Sequence, residues 1–176
     1  MKSFNLHRYV QASLIAALYC ALTFAMYQMS FQSAQLRLSE ALCVLPLFTT
    51  ASIPGLTLGC AMANFIGFMT GANPAGAWDC LIGSGATLLA VISTYYIGKW
   101  VKDNVMRCIL APLPAVIFNA VIIGLELTMA FSGGDMSTFV PNMISVGLGQ
   151  LIVCYALGVP LMLVLQKNNL YKKIFN

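Results

Sequence analysis

The sequence predicts an all-α integral membrane protein of six transmembrane helices with both termini in the cytoplasm. Three observations carry that expectation. Of the 176 residues, 60% are hydrophobic and only 8% are charged; mean hydropathy is +0.85; and the basic residues gather at the ends and in one internal segment. A soluble domain carries roughly 25% charged residues, so an ordinary aqueous surface is excluded. A spanning helix needs about 20 mostly apolar residues, which leaves room for five or six. Residues 1–176 therefore read as one transmembrane domain, and any ATPase or soluble solute-binding domain would be another chain.

The first helix is expected over about 10–30, after the basic lead that holds Lys2 and Arg8. It is apolar for too long to be a signal-peptide core and lacks a cleavage site, so it reads as retained. A polar connection, Phe31-Gln32-Ser33-Ala34-Gln35-Leu36-Arg37-Leu38-Ser39-Glu40, precedes a long apolar run to Thr70. Ser52-Ile53-Pro54-Gly55 breaks that run, because proline lacks a backbone donor and glycine loosens the chain. Two short helices follow from this, about 41–52 and 54–70. Asp79 reads as the N-cap of a fourth helix over about 80–98. Lys99–Arg107 is the most charged segment; a fifth helix is expected over about 112–131 and a sixth over about 141–165.

Charge asymmetry decides the count. With six spans, Lys2, Arg8, Lys99, Lys102, Arg107, Lys167, Lys172 and Lys173 fall inside and only Arg37 falls outside. Were 41–70 a single span, the 99–107 segment and the C-terminus would face outward, against the positive-inside rule.

Several functions are excluded by what the chain lacks. Nucleic-acid binding needs a continuous basic face, and the basic residues here read as headgroup anchors in a lipid bilayer. The six cysteines form no CxxC pair and the single histidine, His7, stands alone, so no metal site is expected. Gly83-Ser84-Gly85-Ala86-Thr87 lacks the ending of a phosphate loop. No GxSxG, HExxH or paired catalytic aspartates occur, so no enzyme and no cofactor is expected.

The polar residues of the predicted spans fall toward the outer side. Arg37 and Glu40 lie in the first outer loop, where they are placed to pair with each other. Asn64, Asp79, Glu126 and Gln150 lie in the outer parts of the third to sixth helices, and Asn119 is two turns deeper than Glu126 on a similar face. Asn64 and Gln150 also suit interhelical hydrogen bonding. An ionisable residue inside a span is costly and marks function, and Glu126 stands among Ile122, Ile123, Leu125, Leu127 and Met129. These groups predict a solute pocket open to the outside. On the first helix, Ala12, Ala16, Ala17 and Ala21 form small faces on which a partner helix can approach closely.

Gln35-Leu36-Arg37-Leu38-Ser39-Glu40-Ala41-Leu42 with Val44-Leu45-Pro46 resembles the queuosine-precursor transporter family (QueT type). The likeness continues through Ile53-Pro54-Gly55, Gly59-Cys60, Ala63-Asn64 and Gly83-Ser84 with Ala86-Thr87-Leu88. It resumes at Leu110-Ala111-Pro112-Leu113-Pro114, Asn119-Ala120, Gly147-Leu148-Gly149 and Cys154-Tyr155-Ala156-Leu157-Gly158, and covers about residues 10–165. The resemblance implies a six-helix S component of an energy-coupling factor (ECF) transporter in the bacterial plasma membrane. Its partners would be a membrane coupling subunit and two cytoplasmic ATPases, and its solute a 7-deazaguanine such as preQ1, preQ0 or queuine, whose planar ring would favour aromatic neighbours such as Phe31, Trp78 or Phe118. Where the family usually has a glutamate after Gly149, this chain has Gln150, and Glu126 stands where relatives are often apolar. An S component for another vitamin or nucleobase, a non-transporting assembly subunit and a small channel are the alternative readings.

Overall fold

The computed structural model describes residues 6–31, 36–73 and 75–175. Lys2, Pro74 and the polar stretch 32–35, which includes Gln35 of the family-like motif, lie outside the described residues. All regular structure among the described residues is helical. Helix α1 (Leu6–Ala25) is followed by the single turn α2 (Tyr27–Ser30), a 3₁₀ helix (Leu38–Leu47), α3 (Ser52–Met69), α4 (Trp78–Trp100), the short α5 (Asn104–Leu110) and α6 (Leu113–Phe131). Then come α7 (Phe139–Val153), a π-helical segment (Cys154–Gly158), α8 (Val159–Gln166) and α9 (Leu170–Phe175).

Among the described residues, five helical stretches are long and apolar enough to cross a membrane: Leu6–Ala25, Ser52–Met69, Trp78–Trp100, Asn104–Phe131 and Met136–Gln166. Their lipid-facing surfaces are apolar, with Leu14, Leu58, Phe65, Leu81, Leu89, Ile144 and Leu148 exposed. In water such a surface would be costly; in hydrocarbon it is the solvent match.

The helix expected over 41–52 is instead the 3₁₀ helix Leu38–Leu47, buried from Ser39 through Pro46. Pro46 lies within it, and the element is apolar on every side except at Ser39 and Glu40, so it occupies the middle of the bundle. Leu42, Cys43 and Leu45 pack with Ile15 and Tyr19 of α1, Leu56 and Cys60 of α3, and Ala90 and Val91 of α4. Its two ends contact opposite ends of α1. The Ser39 hydroxyl lies 2.8 Å from that of Thr23, whereas the Thr49 hydroxyl, just past its last residue, reaches Gln11 Oε1 at 3.4 Å.

The third helix begins at Ser52, not at Pro54. Proline is tolerated in a first turn, where its missing N–H would have no intrahelical partner. Gly55 and Gly59 then let α3 lie directly on α1. A Cβ at Gly55 would sit 2.8 Å from the Ala12 carbonyl oxygen, and one at Gly59 2.9 Å from that of Ala16. This is the small-residue packing of membrane helices, used within the chain.

The charged 99–107 segment is mostly helical too. Asp103 caps α5 by accepting from the backbone N–H of Val105 at 2.6 Å and Met106 at 3.3 Å. The sixth expected helix keeps its course but carries the π segment at Cys154–Gly158, which packs on the 3₁₀ helix: Gly158 is so close to Ala41 that an added Cβ would lie 3.2 Å from its carbonyl oxygen.

Candidate functional site

At the bundle end where α4 begins, the sequence places an arginine, two asparagines and two carboxylates on different elements, and the fold brings them together. Arg37 stands just before the 3₁₀ helix and is 3% exposed. Its Nη2 donates to Asp79 Oδ2 at 2.9 Å, its Nε to the Ser30 carbonyl at 3.1 Å, and its guanidinium lies 5.2 Å from the centre of the Phe31 ring. Asp79 Oδ2 also accepts from Asn73 Nδ2 at 2.7 Å, and Asn64 Nδ2 donates to the Asp79 backbone carbonyl at 2.7 Å.

Two expectations are corrected here. Asp79 is not the N-cap of α4: Ala77 holds that position without a side-chain bond, and the Asp79 carboxylate turns inward to the stronger partner, a buried guanidinium. Nor does Arg37 pair with Glu40, since that carboxylate is taken by neutral donors. The Tyr19 hydroxyl donates to Glu40 Oε1, while Asn119 Nδ2 at 3.2 Å and the Cys43 thiol at 3.2 Å donate to Oε2. Glu40 and Asn119 thus form a second polar cluster, next to the first. Gln150 is 1% exposed on α7, and Cys154 Sγ lies 3.7 Å from its Oε1 and 3.8 Å from the Glu40 carbonyl.

Glu126 differs from all of these. It is 5% exposed, yet neither carboxylate oxygen has a hydrogen-bond partner. It lines a cavity of about 540 Å³ between α4 and α6, whose other walls include Trp78, Ile82, Val121, Leu125 and Met129. The volume lies within the range of about 300–1,000 Å³ typical of small-molecule sites. Trp78 is 70% exposed at the rim of this groove. The other two aromatic candidates stand elsewhere: Phe31 is buried on Arg37, and Phe118 packs against the core around Tyr19 and Leu42.

Asn64 Oδ1 and Asp79 Oδ1 are also buried without a partner, beside Gly83. A Cβ at Gly83 would collide with Asp79 Oδ1 and lie 2.7 Å from Asn64 Nδ2, so only glycine lets the carboxylate fold against the helix here. Tyr19, Asn73 and Ser30 are site members that the sequence reading passed over. Tyr19 carried a readable signal: a phenol in the middle of a membrane helix needs a buried partner. Of the alanines proposed as a partner face, Ala16 is buried and Ala12 half-buried against α3, whereas Ala17 and Ala21 are exposed. Among the described residues, no group of three or more His, Cys, Asp or Glu side chains is placed to hold a metal ion.

A helical bundle with apolar flanks and a polar interior at one end belongs to the class of membrane-embedded proteins. Within that class the chain belongs to the QueT transporter family, whose model matches residues 9–167. No curated protein and no solved structure matches the chain.

Proposed function

We propose that the chain is the solute-binding S component of an ECF-type importer, and that it captures a 7-deazaguanine (preQ1, preQ0 or queuine) at the outer face of the bacterial plasma membrane. The observation that carries this reading is Glu126: a buried carboxylate with both oxygens unpartnered, on the wall of a groove otherwise apolar. A 7-deazaguanine is planar and rich in N–H donors, and a carboxylate accepts two adjacent donors at once. The exposed Trp78 indole offers the ring a stacking surface.

Family membership supports transport, and the motif Gln35–Leu42 supports the S-component role. In this reading the 3₁₀ helix is the second of six crossings. Ten residues at about 2.0 Å each give about 20 Å, so residues 36–37 and 48–51 complete the passage of a core about 30 Å thick. Its antiparallel course against α1 supports this, and it leaves both termini and the 99–107 segment inside, as the positive-inside rule asks. The Arg37–Asp79 end then faces outward. Arg37, Asp79 and Asn64 brace the start of α4, which carries Trp78 into the groove; Glu40, Asn119 and Gln150 brace the neighbouring helices. Ala17 and Ala21 form the face that meets the coupling subunit.

The chain binds its solute but performs no covalent chemistry and hydrolyses no ATP; two partner ATPases drive release inward. Reconstitution in liposomes tests this. The protein alone takes up no solute against a gradient, and a coupling subunit with two ATPases restores ATP-dependent uptake. Concentrative uptake by the isolated chain would overturn the assignment.

A further inference from the structure

Building on the reading of the chain as a 7-deazaguanine carrier, we infer that its site selects the cationic members of that class, with an ammonium group of the solute seated on Glu126. The first observation is the kind of atom left over. Among the described residues four buried side-chain atoms lack a partner: Asn64 Oδ1, Asp79 Oδ1, Glu126 Oε1 and Glu126 Oε2. All four are acceptors. The two of Glu126 lie on the groove wall, so the partner missing there is a donor.

The second observation is charge. Among the described residues, three buried carboxylates, Glu40, Asp79 and Glu126, share this end of the bundle with a single buried cation, Arg37. Arg37 is committed to Asp79 at 2.9 Å, and the pair is closed to solvent with 3% and 0% exposure. Glu40 accepts from the neutral donors Tyr19, Asn119 and Cys43. Glu126 has neither an ion pair nor a hydrogen bond, and residues 122–130 of its helix include no Lys, Arg or His. The remaining groove walls are apolar side chains.

A neutral N–H edge would satisfy the hydrogen bonds of Glu126 and leave its charge buried without compensation. An ammonium group supplies donors and charge together, which is the cheaper state in a low-dielectric site. The Asp79 and Asn64 oxygens beside Gly83 lie fully buried and add negative potential that favours the same ligand.

The test is calorimetry of the full chain in nanodiscs with two probes of similar size: 7-aminomethyl-7-deazaguanine, cationic at neutral pH, and 7-cyano-7-deazaguanine, neutral. Wild type is expected to bind the aminomethyl compound about 10- to 150-fold more tightly, the scale of one charge-assisted contact. Glu126→Gln should lose that preference, because it weakens the aminomethyl compound by about that factor and the cyano compound by less. Glu126→Asp, which keeps the charge, should keep a preference for the amine. Equal affinity of wild type for the two probes, or a preference that survives in Glu126→Gln, overturns the cationic selectivity and leaves the carrier reading standing. Failure of wild type to bind either probe overturns the carrier reading itself.

Discussion

Arg37 and Asp79 hold the site end of the bundle together through a bond that spans 42 residues of sequence. Removing one partner of a buried pair leaves the other charge without compensation, a loss of about 3–5 kcal/mol. Arg37→Ala should therefore lower the thermal unfolding temperature in detergent sharply, as followed by tryptophan fluorescence. Replacing both partners, as Arg37→Met with Asp79→Leu, should cost less than Arg37→Ala alone, because no charge is stranded. A double variant no more stable than the single one would mean that the pair matters only through its packing. This residue scale was the least legible in the sequence. Arg37 and Glu40 are three apart and opposite in charge, so local reasoning pairs them. Nothing local announces that Tyr19 and Asn119 saturate Glu40 and free Arg37 for Asp79. Glu126 was legible because its isolation among apolar neighbours is itself a local property.

The α1–α3 contact takes up one part of the pattern of small residues on α1. Gly55 and Gly59 meet Ala12 and Ala16, while Ala17 and Ala21, a little further round α1, remain exposed. The sequence disclosed small faces on α1 without saying which was already occupied, since that depends on the partner helix. Two outcomes separate the faces. Gly59→Leu forces a side chain onto Tyr19 Cβ and the Ala16 backbone and should abolish recovery of monodisperse protein. Ala17→Trp and Ala21→Trp should leave solute binding intact and block co-purification of the coupling subunit and ATPases. Normal assembly by both tryptophan variants would remove this face from the interface. The 3₁₀ helix was legible as a short apolar element bounded by Ser52–Gly55, but not as 3₁₀. An apolar run has no face to reveal its period, and the choice here follows from enclosure by α1, α3, α4 and the π segment.

At the scale of the whole molecule, composition made the membrane class plain, and the distribution of Lys and Arg suggested an orientation that five long spans alone do not settle. The short 3₁₀ helix, proposed as a further crossing, is the reason. Leu38–Leu47 is only ten residues long, below the length at which hydropathy identifies a span, so its passage has to be argued from its contacts with Thr23 at one end and Gln11 at the other. The groove was legible only in part: a pocket with Glu126 and Trp78 was expected, but its apolar walls were not. Val121, Leu125 and Met129 read as lipid-facing residues until α4 supplies Trp78 and Ile82 as the opposite wall. The central claim is that this wall and Glu126 capture a 7-deazaguanine without help from another subunit. Equilibrium dialysis of radiolabelled 7-aminomethyl-7-deazaguanine against the purified chain in nanodiscs tests it most directly. The account predicts saturable binding at one site per chain, displaced by unlabelled compound and weakened by Glu126→Gln; retention no greater than that of empty nanodiscs would contradict it.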